Sequence, residues 1–441
     1  MIDQPSRWQR FTSQGMGRAF RHRDFVIYTF SGFFANIGIW VQRVGVQWLA
    51  WELTHSYAWL GAIAFIDAIG VIVCMPFFGT LIDRSDRLKM MRIAQVLVTI
   101  LVVILATFTL MHWMTIWLVV AAMALHGVLD AFWAPARLAM SPSLVPREDL
   151  AAAIGMNASL FNLAQILGPA AAGLIIAAFT DTVFGIGMLF VITTLGYLVY
   201  LVALCIIRLR YEERRASSAT SFVTDMKNGL LYIFEKPGLS LYMALMLVTT
   251  LVMRPFRELL AGFADGVFMQ GPGGLAMLTS AVGVGALVGA LVVANTTKVK
   301  GMTRLVMTVF AVGIVAQFAF VLAPNFNIAV GAIAFLGITV AMGGIGSQVL
   351  IQSSISSTMR GRVVSVWSLI MRAGPPIGAW FLGTLAEFSD LQTVFVIATA
   401  IYALFFICMI PRFKLLAQNM EAPPVDESRG DVRRSTAEPR T

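Results

Sequence analysis

The chain has 441 residues, of which 58% are hydrophobic and only 12% are Asp, Glu, Lys or Arg. A soluble chain needs about twice that charged fraction, so a cytosolic enzyme, a disordered chain and a secreted disulfide scaffold are excluded, and a protein crossing the bilayer many times is expected. The net charge of +9 would suggest nucleic-acid binding in a soluble protein, but in a membrane protein it points to basic links on the cytoplasmic face.

Residues 1–24 are polar and basic, with no apolar stretch or small-residue cleavage site, so no cleavable signal peptide is expected. Trp8, Phe11 and Phe20 lie among five arginines. This segment is either laid on the inner leaflet or a solvated cytoplasmic tail. Twelve apolar segments follow, at 25–52, 57–82, 90–111, 114–136, 149–178, 185–207, 239–262, 274–295, 303–323, 327–352, 361–385 and 391–411. Each is near the length that spans the hydrocarbon core. The polar stretch 208–238 divides them six and six, and Val223, Met226, Leu230 and Ile233 give it a short amphipathic, interfacial helix. The expected domains are therefore an N-terminal half (25–207), a cytoplasmic linker (208–238), a C-terminal half (239–411) and a disordered cytoplasmic tail (412–441). The fold class is an all-α membrane protein of twelve helices in two halves.

Cys74, Cys205 and Cys408 lie in apolar runs without CxxC spacing, which argues against disulfides and zinc. No Walker loop, Ser/His/Asp arrangement or metal-spaced cluster is found. The chain reads as a non-enzyme without cofactor, driven by something other than ATP. The halves look related: Gly155, Gly168 and Pro169 match Gly361, Gly374 and Pro375 at one constant offset.

The link after the second segment reads Gly79-Thr80-Leu81-Ile82-Asp83-Arg84-Ser85-Asp86-Arg87-Leu88-Lys89. Gly79 permits close helix approach, Asp83 can face the positive N-terminus of another helix, and Arg84, Arg87 and Lys89 can hold anions at the inner interface. In the fifth segment, Gly168-Pro169-Ala170-Ala171-Ala172-Gly173 combines small residues with a backbone-loosening proline. It serves packing, or an exporter's gate.

The link resembles the loop signature of the major facilitator superfamily, with Asp86 where that family has Gly and Leu88 where it has a base. Ile37-Gly38-Ile39-Trp40-Val41-Gln42-Arg43, Pro135-Ala136, Leu144-Val145-Pro146, the Gly168–Gly173 run and Arg360-Gly361-Arg362-Val363 resemble its transmembrane secretion effector group, which includes enterobactin exporters and drug–proton antiporters. The resemblance spans roughly residues 20–412. It implies a rocking exporter with a central cavity, usually monomeric, in a bacterial inner membrane, with both termini cytoplasmic.

Charges within the apolar segments are costly and tend to face a cavity or a partner. Asp67, His126 and Asp130 are the candidate proton carriers. Arg43, Gln42, Arg254, Arg257, Glu258 and Arg372 are the candidate substrate ligands, since arginine can grip an anion bidentately. Internal pairing, such as Arg254 or Arg257 with Glu258, is the competing role. Gln47, Asn157, Asn162, Gln165 and Gln317 are either cavity hydrogen-bonders or interhelical glue. Trp40, Trp48, Trp51, Trp113 and Trp117 are expected in an outer aromatic belt.

The expected function is proton-coupled export of a small amphipathic or anionic compound, such as a siderophore or drug, by alternating access, with protons and membrane lipids as the other partners. A lysophospholipid flippase, a metabolite uniporter and a non-transporting sensor or scaffold are the alternatives. Of the 32 basic residues, 28 fall on one predicted side, and the other four are Arg43, Arg254, Arg257 and Arg372. That asymmetry fixes the orientation and removes nucleic acid as a partner.

Overall fold

The computed structural model describes residues 15–83, 85–138, 140–209, 222–294 and 301–421. Six long helices form the first half: α1 (Arg23–Thr54), α2 (Tyr57–Asp83), α3 (Arg87–Leu110), α4 (Ile116–Leu138), α5 (Leu150–Ala177) and α6 (Thr182–Ile206). Six form the second: α7 (Pro237–Val252), α8 (Gly271–Ala294), α9 (Met302–Val321), α10 (Phe326–Ser354), α11 (Ser357–Ala386) and α12 (Leu391–Met409). Eleven of the helical segments are long and apolar enough to cross a membrane. The other, α11, has 30 residues, ample for a span, but Arg360, Arg362, Arg372, Pro375 and Pro376 make it more polar.

Short polar residues start the helices by accepting orphan backbone N–H groups. Asp86 accepts from Lys89 N at 2.9 Å at the start of α3, and Asp390 accepts from Thr393 N at 2.7 Å at the start of α12. Asp86, the departure from the loop signature, is thus a helix cap.

Within the first half, α1 packs on α5 and α6, α3 on α6, and α2 on α4. Within the second, α10 packs on α8 and α9, and α7 on α11. Between halves, α2 pairs with α11 and α5 with α8, so the second and fifth helices of each half exchange partners. Small residues set these crossings: a Cβ on Gly61 would strike the Ala379 carbonyl, and one on Gly173 would strike Ala276. A Cβ on Gly168 would strike Trp40 of α1, and Pro169 is buried.

The halves are also stitched at the end opposite the basic links. Glu387, just after α11, accepts from Ser56 Oγ at 2.8 Å and from Ala58 N at 3.0 Å at the start of α2. Trp51 Nε1 donates to Asp265 at 2.8 Å.

At the basic end, a 3-10 turn (Gly15–Arg21) leads into α1. Arg18 and His22 meet Asp149, before α5, at 3.0 and 2.9 Å. The hydrogen bond from His22 holds the Asp149 carboxyl below its usual range, and the nearby charges of Arg18, His22 and Arg21 add to this against an opposing effect of burial. Trp8 and Phe11 lie outside the described residues. The linker contains a helix (Phe222–Glu235) whose Asp225 accepts from Arg362 of α11 at 2.8 Å.

The tail departs from the expected disorder. Phe413–Met420 is a helix packed against α7, α9 and α10, with Leu416 and Met420 buried. Glu421 accepts from Gly301 N at 2.7 Å and from Thr303 N at 2.9 Å. Apolar residues at helical spacing explain the docking, since Leu416 and Met420 share a face. Residues 422–441 lie outside the described residues.

Candidate functional site

A cavity of about 570 Å³ lies between the halves. Each charged residue picked out within the apolar segments lines it: Arg43 and neighbouring Gln42 from α1, Asp67 from α2, His126 and Asp130 from α4, Arg254, Arg257 and Glu258 after α7, and Arg372 from α11.

On α4 the residues His126, Asp130, Trp133 and Arg137 follow one another at intervals of four and three, which places them on one face. His126 Nδ1 lies 2.7 Å from the Asp67 carboxylate. Gly127 makes that approach possible, because any Cβ there would strike the Asp67 carbonyl and push α2 off α4. One turn along, Asp130 accepts from Arg372 Nη2, joining α4 to α11 across the cavity.

Segment seven is not the continuous helix expected over 239–262. Its α-helix ends at Val252, and a 3-10 turn (Pro255–Arg257), a short helical turn (Leu260–Gly262) and a π-turn (Phe263–Val267) follow. Pro255 has no N–H to continue the ladder and its ring clashes with the preceding turn. Unwound backbone at membrane depth persists only where protein buries it or a cavity receives it. Both conditions hold: Pro255 and Phe256 are buried, and Arg254, Arg257 and Glu258 line the cavity. The π-turn is a second irregularity of a kind frequent at functional sites.

The carboxylates and guanidinium groups are unevenly matched. Among the described residues, Asp67 pairs with His126 and Asp130 with Arg372, while Arg43, Arg137, Arg254, Arg257 and Glu258 have no ion pair. The competing role, a pairing of Glu258 with Arg254 or Arg257, does not form at ion-pair distance among the described residues. Instead Arg254 donates to the Val340 carbonyl at 3.4 Å, and the Arg257 carbonyl accepts from Gln47 at 3.2 Å. Five arginines thus face three carboxylates, leaving the cavity positive.

Arg137 was missed in the sequence, where it counts with the basic link after segment four. It lies inside α4 and lines the cavity. It donates to Asn36 Oδ1 at 2.8 Å and sits 4.8 Å from the Trp133 ring. Its spacing of seven from Asp130 was the available signal.

The amides separate into two groups. Gln42, Gln47 and Gln165 line the cavity, and Gln42 accepts from Tyr197 at 3.1 Å. Gln317 is buried and donates to the Val252 carbonyl at 3.4 Å, and Asn157 accepts from Thr29 at 3.2 Å, so both tie helices together. Asn162 is not among the lining residues. The aromatic belt is also smaller than expected: Trp113 and Trp117 are exposed, but Trp40, Trp48 and Trp51 are buried.

Of the loop motif, Arg84 and the side chain of Asp83 lie outside the described residues, as do the surroundings of Gly79. Arg87 donates to Ser143 at 3.3 Å, and Lys89 is exposed.

The chain is similar to macrolide efflux protein A of Streptococcus pyogenes, at 26% identity over 77% of this chain and 83% of that protein. It is similar to the staphyloferrin A transporter of Staphylococcus aureus, at 23% identity over 83% and 90%. The multidrug efflux pump Tap of Mycolicibacterium fortuitum is 23% identical over 84% and 91%. In fold it resembles the nucleoside transporter NupG (TM-score 0.69, 15% identity, covering 88% of this chain and 98% of that one). It resembles a D-xylose–proton symporter likewise (TM-score 0.68, 16% identity, 86% and 97%). The sequence profile of the transmembrane secretion effector family matches residues 18–432. These are transporters, not enzymes, and the chain belongs to the transmembrane secretion effector family of major facilitator transporters.

Proposed function

We propose that the chain exports a small anionic or amphipathic compound from the cytoplasm in exchange for protons. The observation that carries this reading is the excess of unpaired arginine in the cavity. These guanidinium groups are half-buried to exposed in the cavity without a counter-charge, so an anionic ligand entering it can be held by charge-assisted, bidentate hydrogen bonds. Trp40, Trp133, Phe161 and Phe256 offer apolar surface beside it. The efflux pumps and the siderophore transporter among the relatives support outward movement.

Basic links on one side favour a cytoplasmic placement of that side and of both termini. The contacts at the opposite end favour a cavity filled from the cytoplasm. Alternating access then requires Glu387, Asp265 and their partners to separate. The small residues Gly168, Pro169 and Gly173 lie on crossings that must slide, and the loop motif of Gly79, Asp83, Arg84, Arg87 and Lys89 is assigned by its sequence to control of the inner side.

The Asp67–His126 pair carries the proton. The imidazole and the carboxylate stand at hydrogen-bond distance, so a proton taken up from the cavity can be held between them. Asp130 is held by a permanent cation, so its role is better described as a latch between the halves.

Proteoliposomes with an imposed pH gradient test this. Gradient-driven transport of an anionic compound is expected, with Asp67→Asn removing the gradient dependence while binding persists. Transport by Asp67→Asn that still follows the gradient would refute the proton assignment, and transport of neutral analogues alone would refute the anionic one.

A further inference from the structure

The positive charge of the cavity is divided between two places. One pole holds Arg43, whose guanidinium lies 5.4 Å from the Trp40 ring centre. The Arg257 carbonyl accepts from Gln47, one turn from Arg43 on α1, and Arg254 and Glu258 adjoin Arg257 in the broken segment and line the same cavity, so these residues make up this pole. The other pole is Arg137. Its guanidinium is fixed by Asn36 and by two rings, Trp133 at 4.8 Å and Phe161 at 5.7 Å. Asn36, which holds Arg137, and Arg43 lie on the same helix, seven residues apart, an axial rise of about 10 Å between the points of α1 that carry the two poles.

The wall between the poles is aromatic. The Trp40 and Phe161 rings meet edge to face at 5.9 Å, so arginine, ring, ring and arginine succeed one another along it. Trp40 Nε1 is a buried donor without an acceptor among the described residues, as is Gln95 Nε2 beside Trp133. The aspartates of the cavity, Asp67 and Asp130, are engaged with His126 and Arg372. A single carboxylate cannot reach both poles, and whichever it leaves stays uncompensated.

We infer that the ligand is an elongated dianion, with two carboxylate-type groups about 10 Å apart joined by an apolar or aromatic middle. This inference rests on the anionic-substrate reading above. The stronger pole takes the more highly charged end, Arg137 takes the other, and the ring wall covers the middle.

The test uses the full chain in lipid nanodiscs and straight-chain α,ω-dicarboxylates of increasing length. The matched monocarboxylates and dimethyl esters serve as references, and Kd is read by calorimetry. Affinity should peak at the dicarboxylate spanning about 10 Å, at least about tenfold tighter than the monocarboxylate of equal length. Arg137→Gln should abolish the peak and cost the dicarboxylates at least about tenfold more affinity than the monocarboxylates, while Arg137→Lys, which keeps the charge, should retain a peak. Affinity rising steadily with length in all series would overturn the two-pole arrangement. So would equal losses for mono- and dicarboxylates in Arg137→Gln. If mono- and dicarboxylates bind alike but better than the esters, the inference fails and the anionic reading survives. If the esters bind as well as the acids, both fail.

Discussion

Replacing Asp130 by Asn removes the negative charge that Arg372 pairs with and leaves an uncompensated guanidinium facing the cavity between halves. The two side chains are 27% and 40% exposed. Breaking a fully buried pair costs about 3–5 kcal/mol, whereas an exposed pair contributes about 0.2–1 kcal/mol. Partial exposure places this pair between them, at about 1–2 kcal/mol, or a factor of about 5–30 in an equilibrium constant. Because the partners sit on α4 and α11, that energy is lost only in states that bring the halves together there. The expected effect is therefore a shift between the two access states more than a loss of folding. The assay is alkylation of single cysteines placed at either end of the cavity, with Cys74, Cys205 and Cys408 replaced. Asp130→Asn, Arg372→Gln and the double variant form a cycle. A coupling of about 1 kcal/mol or more is expected. Single effects that add to within about 0.5 kcal/mol would refute the latch.

Three further outcomes follow from the packing. Gly127→Ala should destabilise the protein by about 1–3 kcal/mol and remove gradient-driven transport, since α4 must leave Asp67; an unchanged Tm would contradict the close approach. Gly61→Ala should raise alkylation at the end opposite the basic links, because α2 can no longer lie on Ala379, and unchanged labelling there would count against that crossing as a seal. The N-terminal anchor should resist mild acid. Asp149 titrates below its unfolded value of about 3.9, so its contribution is complete above that pH and disappears as pH falls through the lower folded value. Proteolysis after Arg18 should therefore be unchanged between about pH 5 and pH 7 for this carboxylate's part, and should accelerate in Asp149→Asn at both.

The helices were legible because apolar length alone predicts a span, and the polar residues between runs proved to be their caps. The cavity charges were legible for a related reason, since an ion in an apolar run has few tolerable places to go. Arg137 escaped because it ends its run, where hydropathy cannot separate the last turn of a helix from the first residue of a link. The break at Pro255 escaped because run length ignores backbone hydrogen bonding. The pairing of Asp130 with Arg372 joins residues 242 positions apart, which no local pattern specifies. The docked tail helix was hidden by the polar residues around Leu416 and Met420.

The segment after Pro255 is held by two kinds of contact. Its rings are sunk in the second half, Phe263 against Phe320 at 4.9 Å and against Phe395 at 5.1 Å. Its polar atoms reach into the first half, to Gln47 and Trp51. With the two bonds to Glu387, the polar part of the closure at that end is a row of single hydrogen bonds, each worth about 0.5–1.5 kcal/mol, beside the close packing of α2 on α11. Such a row can open like a zip, one bond after another, so that no step requires the whole energy at once. A ligand drawing on Arg257 would start that zip at its inner tooth, since the carbonyl of the same residue is the one Gln47 holds.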